Sequence, residues 1–407
     1  MSQSSLTEIF SSYTNKAGLF KDKDTLSANF TPENIPHRES QIGQIAHMLA
    51  PVLRGEKPSN IFIYGKTGTG KSLCIKKVAG GLEEAADNNG KPVRIVYLNC
   101  KMRKVADTEY RLLEQIISFF GESVPFTGLP TNTLYRKLFR LLEGMGGNVI
   151  LVLDEIDALL DKIGDDILYN ITRINHEVDN TKIAIVGISN KPTFTDNLDP
   201  RIKSSLSEEE MVFPPYNAAE IKDILDERVK TAFNEGSVEY GAITRCAALA
   251  AQENGDARRA LDLLRVAAEL CERQGNGKVT ERFVNIAQEK LDKDRIIEII
   301  RAQPKQSKLV LLAMLSLYRR EKKGMQTGDV FTLYERMATE NGLKTLTQRR
   351  VSDLISELDM LGVINASVIS RGRYGRTRRI SIQLNEKLVS MMSKTLAGDF
   401  PEAFINF

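Results

Sequence analysis

The sequence predicts an α/β fold with a parallel sheet covered by helices on both faces, followed by an all-helical region and a C-terminal helix-turn-helix with a β-hairpin. Three observations carry this. Short β-branched runs alternate with helical periodicity between residues 60 and 189; strands then cease after "MVFPPY" (211–216) while helical spacing continues; and three helical patterns beyond Pro304 precede two β stretches. At 407 residues and 42% apolar content, the chain exceeds one compact core and divides into domains.

Residues 1–30, rich in Ser, Thr, Lys and Asp, read as a flexible lead-in. The core domain spans 31–214. Apolar residues at helical spacing run from Arg38 to about Leu53, and "NIFIYG" (60–65) is a buried strand ending in a glycine-rich turn. There follow a helix over 71–86, strand "VRIVYLNC" (93–100), helices over 107–120 and 131–143, strand "NVILVLDE" (148–155), a helix over 164–177 and strand "KIAIVGIS" (182–189). Strands joined through helices run parallel, because each crossover returns the chain to the same end of the sheet. Helical patterns at 218–233, 238–253, 256–273 and 280–302 make an all-α domain over 215–302. The last domain, 303–407, holds helices over 306–320, 327–341 and 347–361 and then the hairpin.

Composition narrows the function classes. No apolar stretch approaches 18 residues and the N-terminus lacks a signal-like layout, so a cytoplasmic, nucleoid-associated protein is expected, with no membrane partner. Four dispersed cysteines without a C-x-x-C pair imply reduced thiols, and three scattered histidines argue against a His/Cys metal site. The net charge of +3 conceals a polarity: residues 293–379 carry 18 Lys/Arg against 9 Asp/Glu. That surplus calls for an anionic partner, nucleic acid before membrane.

"GKTGTGKS" (65–72) has the G-x-x-x-x-G-K-[ST] spacing and stands between a strand and a helix. Gly65, Gly68 and Gly70 permit a tight turn; the backbone of Lys66, Thr67, Thr69 and Leu73 completes a phosphate cradle at a helix N-terminus. Lys71 pairs with the β- and γ-phosphates, and Ser72 offers a hydroxyl to Mg²⁺. The strand "VILVLDEID" (149–157) delivers Asp154, a Mg²⁺ ligand through water, and Glu155, which orients or deprotonates the attacking water.

With Asn190 after the next strand in "GISNKP", and "GDARRALDLLRVA" (255–267) in the helical region, these motifs resemble the AAA+ ATPases. The resemblance implies ATP or ADP with Mg²⁺, slow hydrolysis, Asn190 near the γ-phosphate and water, and Arg258 as the lid arginine that senses nucleotide. "IPHRESQI" (35–42), "LDPRIKSSL" (198–206) and "FPPYNAAEIKDIL" (213–225) further resemble archaeal replication initiators of the origin-recognition-complex subunit one / cell-division-cycle six type, over residues 30–385. By that resemblance Ile35, Pro36, His37 and Arg38 border the adenine with Tyr216 close by, and Arg201 is an arginine finger that completes a neighbouring protomer's site. It also implies an initiator-specific insertion, with Lys101, Arg103 and Lys104 as DNA-phosphate contacts, and partners in duplex origin DNA, other initiator protomers and a replicative helicase of the minichromosome maintenance type. A branch-migration or clamp-loading motor and an ATP-switched transcription regulator are the alternative classes.

"KTLTQRRVSDLISELDMLGVI" (344–364) reads as a turn and a recognition helix that offers Thr347, Gln348 and Arg349 to base edges. "ISRGRYGRTRRI" (369–380) packs five arginines around two glycines. Alone it is equally a solvated turn or a contact surface; after a helix-turn-helix it reads as a wing, with Arg371, Arg373, Tyr374 and Arg376 toward DNA.

Overall fold

The computed structural model describes residues 18–27, 30–102, 107–125, 128–191, 198–206, 208–321, 324–370, 376–382 and 386–400. The chain divides into two compact units, Met1–Asn285 and Ile286–Phe407.

In the first unit, α1 (Glu39–Leu49) leads to β1 (Asn60–Tyr64) and α2 (Lys71–Asn88). Then come β2 (Val93–Asn99), α3 (Glu109–Phe119), α4 (Thr131–Met145) and β3 (Gly147–Asp154). Next are α5 (Ile156–Ile163), α6 (Asp166–Glu177), β4 (Thr181–Ser189), α7 (Pro200–Leu206) and β5 (Glu208–Val212). The five strands form one sheet in the order β2-β3-β4-β1-β5, and every described pairing is parallel. Strand periodicity sorts its side chains into two cores. Phe62 and Tyr64 of β1, with Val149, Leu151 and Leu153 of β3, pack against α3 to α6. Ile61 and Ile63, with Ile150 and Val152, pack against α1 and α2. Being apolar on both faces, these strands read as continuous hydrophobic runs.

β5 is an edge strand absent from the sequence expectation, because "EEEMV" carries three glutamates and no alternating apolar face. Charges on an edge strand discourage a further chain from pairing there. The short helices α5 and α7 are likewise absent from that expectation.

The helical part comprises α8 (Ala218–Ala232), α9 (Tyr240–Gln252), α10 (Ala257–Arg273) and α11 (Glu281–Ala302). Asn217 and Glu220 close a capping box at α8, and Asp256 caps α10 by accepting from the Arg258 and Arg259 amides. The lead-in is in part docked rather than loose. Leu19 N donates to Glu272 Oε1 at 2.7 Å, Lys21 N to the Ala232 carbonyl at 2.8 Å, and Phe20 stacks on Phe233 at 5.0 Å. The aromatics of the lead-in are the physical reason: Phe20 finds an apolar partner in Phe233, and Phe30 lies against the Arg228 guanidinium of α8.

The second unit contains α12 (Lys305–Glu321), β6 (Met325–Gln326), α13 (Thr327–Glu340), α14 (Gln348–Met360), β7 (Asn365–Ser370), β8 (Arg376–Ser381) and α15 (Glu386–Ala397). β7 and β8 form the expected antiparallel hairpin, joined by β6 into a sheet in the order β6-β8-β7. Helices α12 to α14, this sheet and α15 share one core, to which Ile296 and Ile300 of α11 also belong. α11 runs unbroken to Ala302, so its residues from Ile286 onward fall in the second unit, ahead of the division that the sequence alone places after residue 302. β6 and α15 have no counterpart in the sequence expectation.

Candidate nucleotide site and DNA-facing surface

β1 ends directly beneath the loop Gly65–Leu73. Gly68 and Gly70 adopt φ of 72° and 91°, a region side-chain-bearing residues avoid. The loop is also too crowded for a Cβ: one on Gly68 would lie 1.7 Å from Asp256 Oδ1, and one on Gly70 2.9 Å from Tyr216 Oη. Thr69 is buried and its hydroxyl donates to the Lys66 carbonyl at 2.9 Å, bracing the turn, while Lys66 and Thr67 are exposed. The N-cap of α2 is Gly70, which brings no side chain, so the first-turn amides face outward as an anion site.

Lys71 is only 6% exposed. Its ammonium donates to the Gly65 carbonyl (2.6 Å), the Lys66 carbonyl (2.7 Å) and Asn190 Oδ1 (2.9 Å), so the lysine and the residue expected beside the γ-phosphate already touch. Burial pulls its pKa down to about 8, opposed by the charge of Asp154.

Asp154 is buried at the end of β3 and accepts a hydrogen bond from the Tyr97 hydroxyl of β2. Burial and the adjacent carboxylate push the Tyr97 phenol well above its ordinary value, and Ser72 hydrogen-bonds to the same phenol. Tyr97 thus links the two expected metal ligands, a role sequence reasoning missed; the only signal was its place near the end of a strand beside β3. Glu155 follows at φ 57°, a left-handed conformation for a residue with a side chain, at the N-cap of α5. Lys101 Nζ stands 3.4 Å from Glu155 Oε2, and the lysine side chain is 72% exposed. Asp157, two residues on, accepts from the Ser189 hydroxyl at 3.1 Å and holds the end of β4 that carries Asn190.

The helical part closes over the loop. Lys66 Nζ donates to Asn254 Oδ1 at 2.7 Å, and Ala257 N to the Gly68 carbonyl at 3.3 Å. Two concavities meet there. An apolar slot is lined by Ile35, Pro36, Leu73, Tyr216, Ile224 and Leu261; an oxygen-rich cleft is lined by Ser72, Tyr97, Asp154 and Glu155; Arg258 lines both. Ile224, Leu261 and Phe30 of the slot escape sequence reasoning, since nothing local joins them.

His37 and Arg38 are not among the residues that line the slot. His37 Nε2 hydrogen-bonds Asp223 Oδ2 at 3.0 Å. Arg38 is 2% exposed; it donates to the carbonyls of Thr69 (2.9 Å), His37 (3.0 Å) and Pro214 (2.6 Å), and its guanidinium lies 3.8 Å from the Tyr216 ring centroid. A buried guanidinium needs its donors satisfied, and here backbone carbonyls satisfy them, making Arg38 a brace behind the loop. Arg201 is 87% exposed on α7 and pairs with Asp199 at 3.0 Å.

The lining suits a nucleotide with Mg²⁺. Ser72 and Asp154 are hard oxygen donors, and among the described residues no three His, Cys, Asp or Glu cluster into a self-sufficient metal cage. Such a site relies on phosphate and water for its remaining ligands, as Mg²⁺ does. Gly68→Ala adds a clash and a disfavoured φ at once; nucleotide affinity in a fluorescent-nucleotide titration is expected to fall about tenfold or more.

In the second unit Thr347 caps α14, accepting from Arg350 N at 3.4 Å, so its hydroxyl serves the helix. Gln348 and Arg349 are exposed at the same end. Arg376 opens β8 opposite Ser370. Arg103, Lys104, Arg371, Arg373 and Tyr374 lie outside the described residues. Among the described residues no helix is long and apolar enough to cross a membrane.

Residues 54–190 match the family described as AAA domain, residues 222–289 the Cdc6 AAA+ ATPase-type lid domain, and residues 298–391 the CDC6, C terminal winged helix domain. An AAA+ ATPase with a helical lid and a winged helix is therefore the class that fold and site define. At 50% identity over 388 residues (94% of this chain, 93% of the relative) the chain is similar to an ORC1-type DNA replication protein of Thermococcus onnurineus. It is 49% identical over 392 residues (96% and 94%) to ORC1-type DNA replication protein 1 of Archaeoglobus fulgidus. The solved structure of the Aeropyrum pernix ORC1 protein in complex with DNA is 42% identical and covers 96% of this chain and 100% of its own, with a TM-score of 0.83. The chain belongs to the ORC1-type DNA replication protein family.

Proposed function

We propose that this protein binds duplex origin DNA through its winged helix, that ATP and Mg²⁺ held between P-loop and lid set its DNA-binding geometry, and that it helps recruit a replicative helicase of the minichromosome maintenance type. The observation that carries the nucleotide reading is Arg258: one lid side chain lines both the apolar slot and the oxygen-rich cleft. A guanidinium there reports on phosphate to the whole lid, since it is rigidly attached to α10. Mg²⁺, when bound, neutralises phosphate charge and polarises the γ-phosphoryl group.

The chain's own residues divide the remaining work. Lys71 turns from its loop carbonyls to phosphate oxygen, Asn190 holds the attacking water, and Glu155 accepts its proton. The ammonium of Lys101, 3.4 Å from Glu155 Oε2, competes for that carboxylate and supports slow turnover. The exposed Arg201 suits a finger that reaches a neighbouring protomer. Ile35 and Tyr216 border the base, while Arg38 braces the loop from behind and His37 ties the same segment to Asp223 of the lid.

DNA binding rests on the exposed start of α14, the basic hairpin and the 42% identical DNA-bound relative. Replacing Arg371, Arg373 and Arg376 by alanine is expected to weaken duplex binding and lower the magnitude of the salt slope of log K by roughly 0.9 for each phosphate no longer neutralised. An unchanged slope refutes the wing assignment. The overall function is tested by a genome-wide footprint with wild-type and Lys71→Ala protein: discrete intergenic sites at replication bubbles, dependent on nucleotide, are expected, whereas junction or dispersed promoter sites point to a motor or a transcription regulator.

A further inference from the structure

Between α14 and the hairpin lies a surface concavity lined by Gln348, Arg349, Ser352, Val368, Thr377 and Arg378. It joins the helix end expected to read bases to the hairpin expected to follow the backbone, and one side chain ties the two together. Arg378 of β8 donates through Nη1 to the Ser352 carbonyl and, at 3.0 Å, to the Ser352 hydroxyl. Ser352 lies in the first turns of α14, just beyond Gln348 and Arg349.

The register explains why this arginine is placed to do so. Ala366 pairs with Ile380 and Val368 with Arg378, and in antiparallel strands directly opposed residues two apart share a face. The face that packs into the core at Ile380 therefore continues outward as Val368 and Arg378. Arg378 leaves the core on the side where α14 packs, half-buried, while Val368 beside it is 61% exposed. Facing water would cost a guanidinium nothing; directed instead to a helix carbonyl and hydroxyl, it holds two elements at one angle.

We propose that Arg378 is a positioning residue for sequence reading: by clamping Ser352 to the hairpin, it fixes the angle between α14 and β7–β8, so that helix and wing meet the duplex in one register. This rests on the reading of the second unit as a DNA-binding winged helix. A clamp differs from a phosphate ligand in what its removal changes. Removing a phosphate ligand weakens binding to all sequences alike and lowers the salt slope, whereas a loosened angle blurs the choice among sequences.

The test uses the full chain and a pool of duplexes with a randomised central segment, enriched by binding and sequenced, followed by salt titrations on the most enriched duplex and on a scrambled one. Arg378→Met and Arg378→Lys are compared with wild type, and thermal melting confirms that each variant folds. The expected result for Arg378→Met is a preference for enriched over scrambled duplex reduced about tenfold, a range set by one discriminating contact, with a salt slope within about half a unit of wild type. Arg378→Lys is expected to recover only part of the preference, since a lysine lacks the planar fork. Uniform weakening on both duplexes with a slope lowered by about 0.9, and rescue by lysine, identifies a phosphate ligand and overturns the clamp. An unchanged preference overturns it as well. Wild-type protein that enriches no duplex overturns the DNA-binding reading and the clamp with it.

Discussion

Lys71→Ala is expected to reduce ATP affinity by at least about 100-fold, since it removes charge-assisted hydrogen bonds to phosphate worth about 1.5–3 kcal/mol each. Titration with a fluorescent nucleotide measures this directly, and retained affinity refutes the placement of the phosphates over Gly65–Leu73. The burial of Lys71 adds a pH dependence. Its pKa is about 8 in the folded chain against an ordinary lysine value of 10.5, so between those values the unfolded chain holds the proton and the folded one has released it. Stability therefore rises with pH across that window, as the charge that is costly to bury is lost. Phosphate favours the ammonium, so nucleotide binding in the same window draws in a proton, and affinity declines as pH climbs from about 8 toward 10.5. Calorimetry in two buffers of different ionisation enthalpy checks this: apparent binding enthalpies that differ at about pH 8.5 and converge at about pH 6.5 are expected.

Glu155→Gln is expected to leave ATP affinity within about a factor of two while slowing hydrolysis at least about 100-fold, the contribution of a positioned general base. The carboxamide keeps the shape of the side chain but cannot take the proton of water. Single-turnover hydrolysis with saturating Mg²⁺-ATP is the measurement, and an undiminished rate assigns the base elsewhere. Because Glu155 holds a left-handed backbone in a tight junction between β3 and α5, thermal melting should accompany the assay to show that the junction survives.

How much of the site is legible in the sequence depends on the distance over which its parts are specified. The loop Gly65–Leu73 and the pair Asp154–Glu155 are readable because each is a contiguous segment whose backbone geometry and chemistry are set within a few residues. Asn190 is readable through the strand that carries it. Tyr97 is not: its hydroxyl matters only because β2 pairs with β3, where Asn99 opposes Asp154 and brings the ring within reach of the carboxylate. The apolar slot has the same character, since Ile35, Tyr216 and Leu261 converge from three separate stretches. The contacts of Arg38 escape sequence reasoning for a related reason: its donors are satisfied by carbonyls of Thr69 and Pro214, which no local pattern brings to it.

The fold divides along the same line. Strands β1 to β4 are visible as apolar runs because both of their faces are buried, whereas β5 is hidden because its identity comes from pairing with β1 rather than from "EEEMV". By itself, the sequence determined the alternation of strands β1 to β4 with the longer helices, the phosphate loop, the acidic pair and the basic hairpin, all of which follow from local periodicity and turn chemistry. Only the tertiary structure decided the strand order β2-β3-β4-β1-β5, the link from Ser72 through Tyr97 to Asp154, the brace made by Arg38 and the hold of Arg378 on Ser352. Each of these is a directional contact between residues far apart in the chain, and direction and distance exist only after the hydrophobic faces have packed.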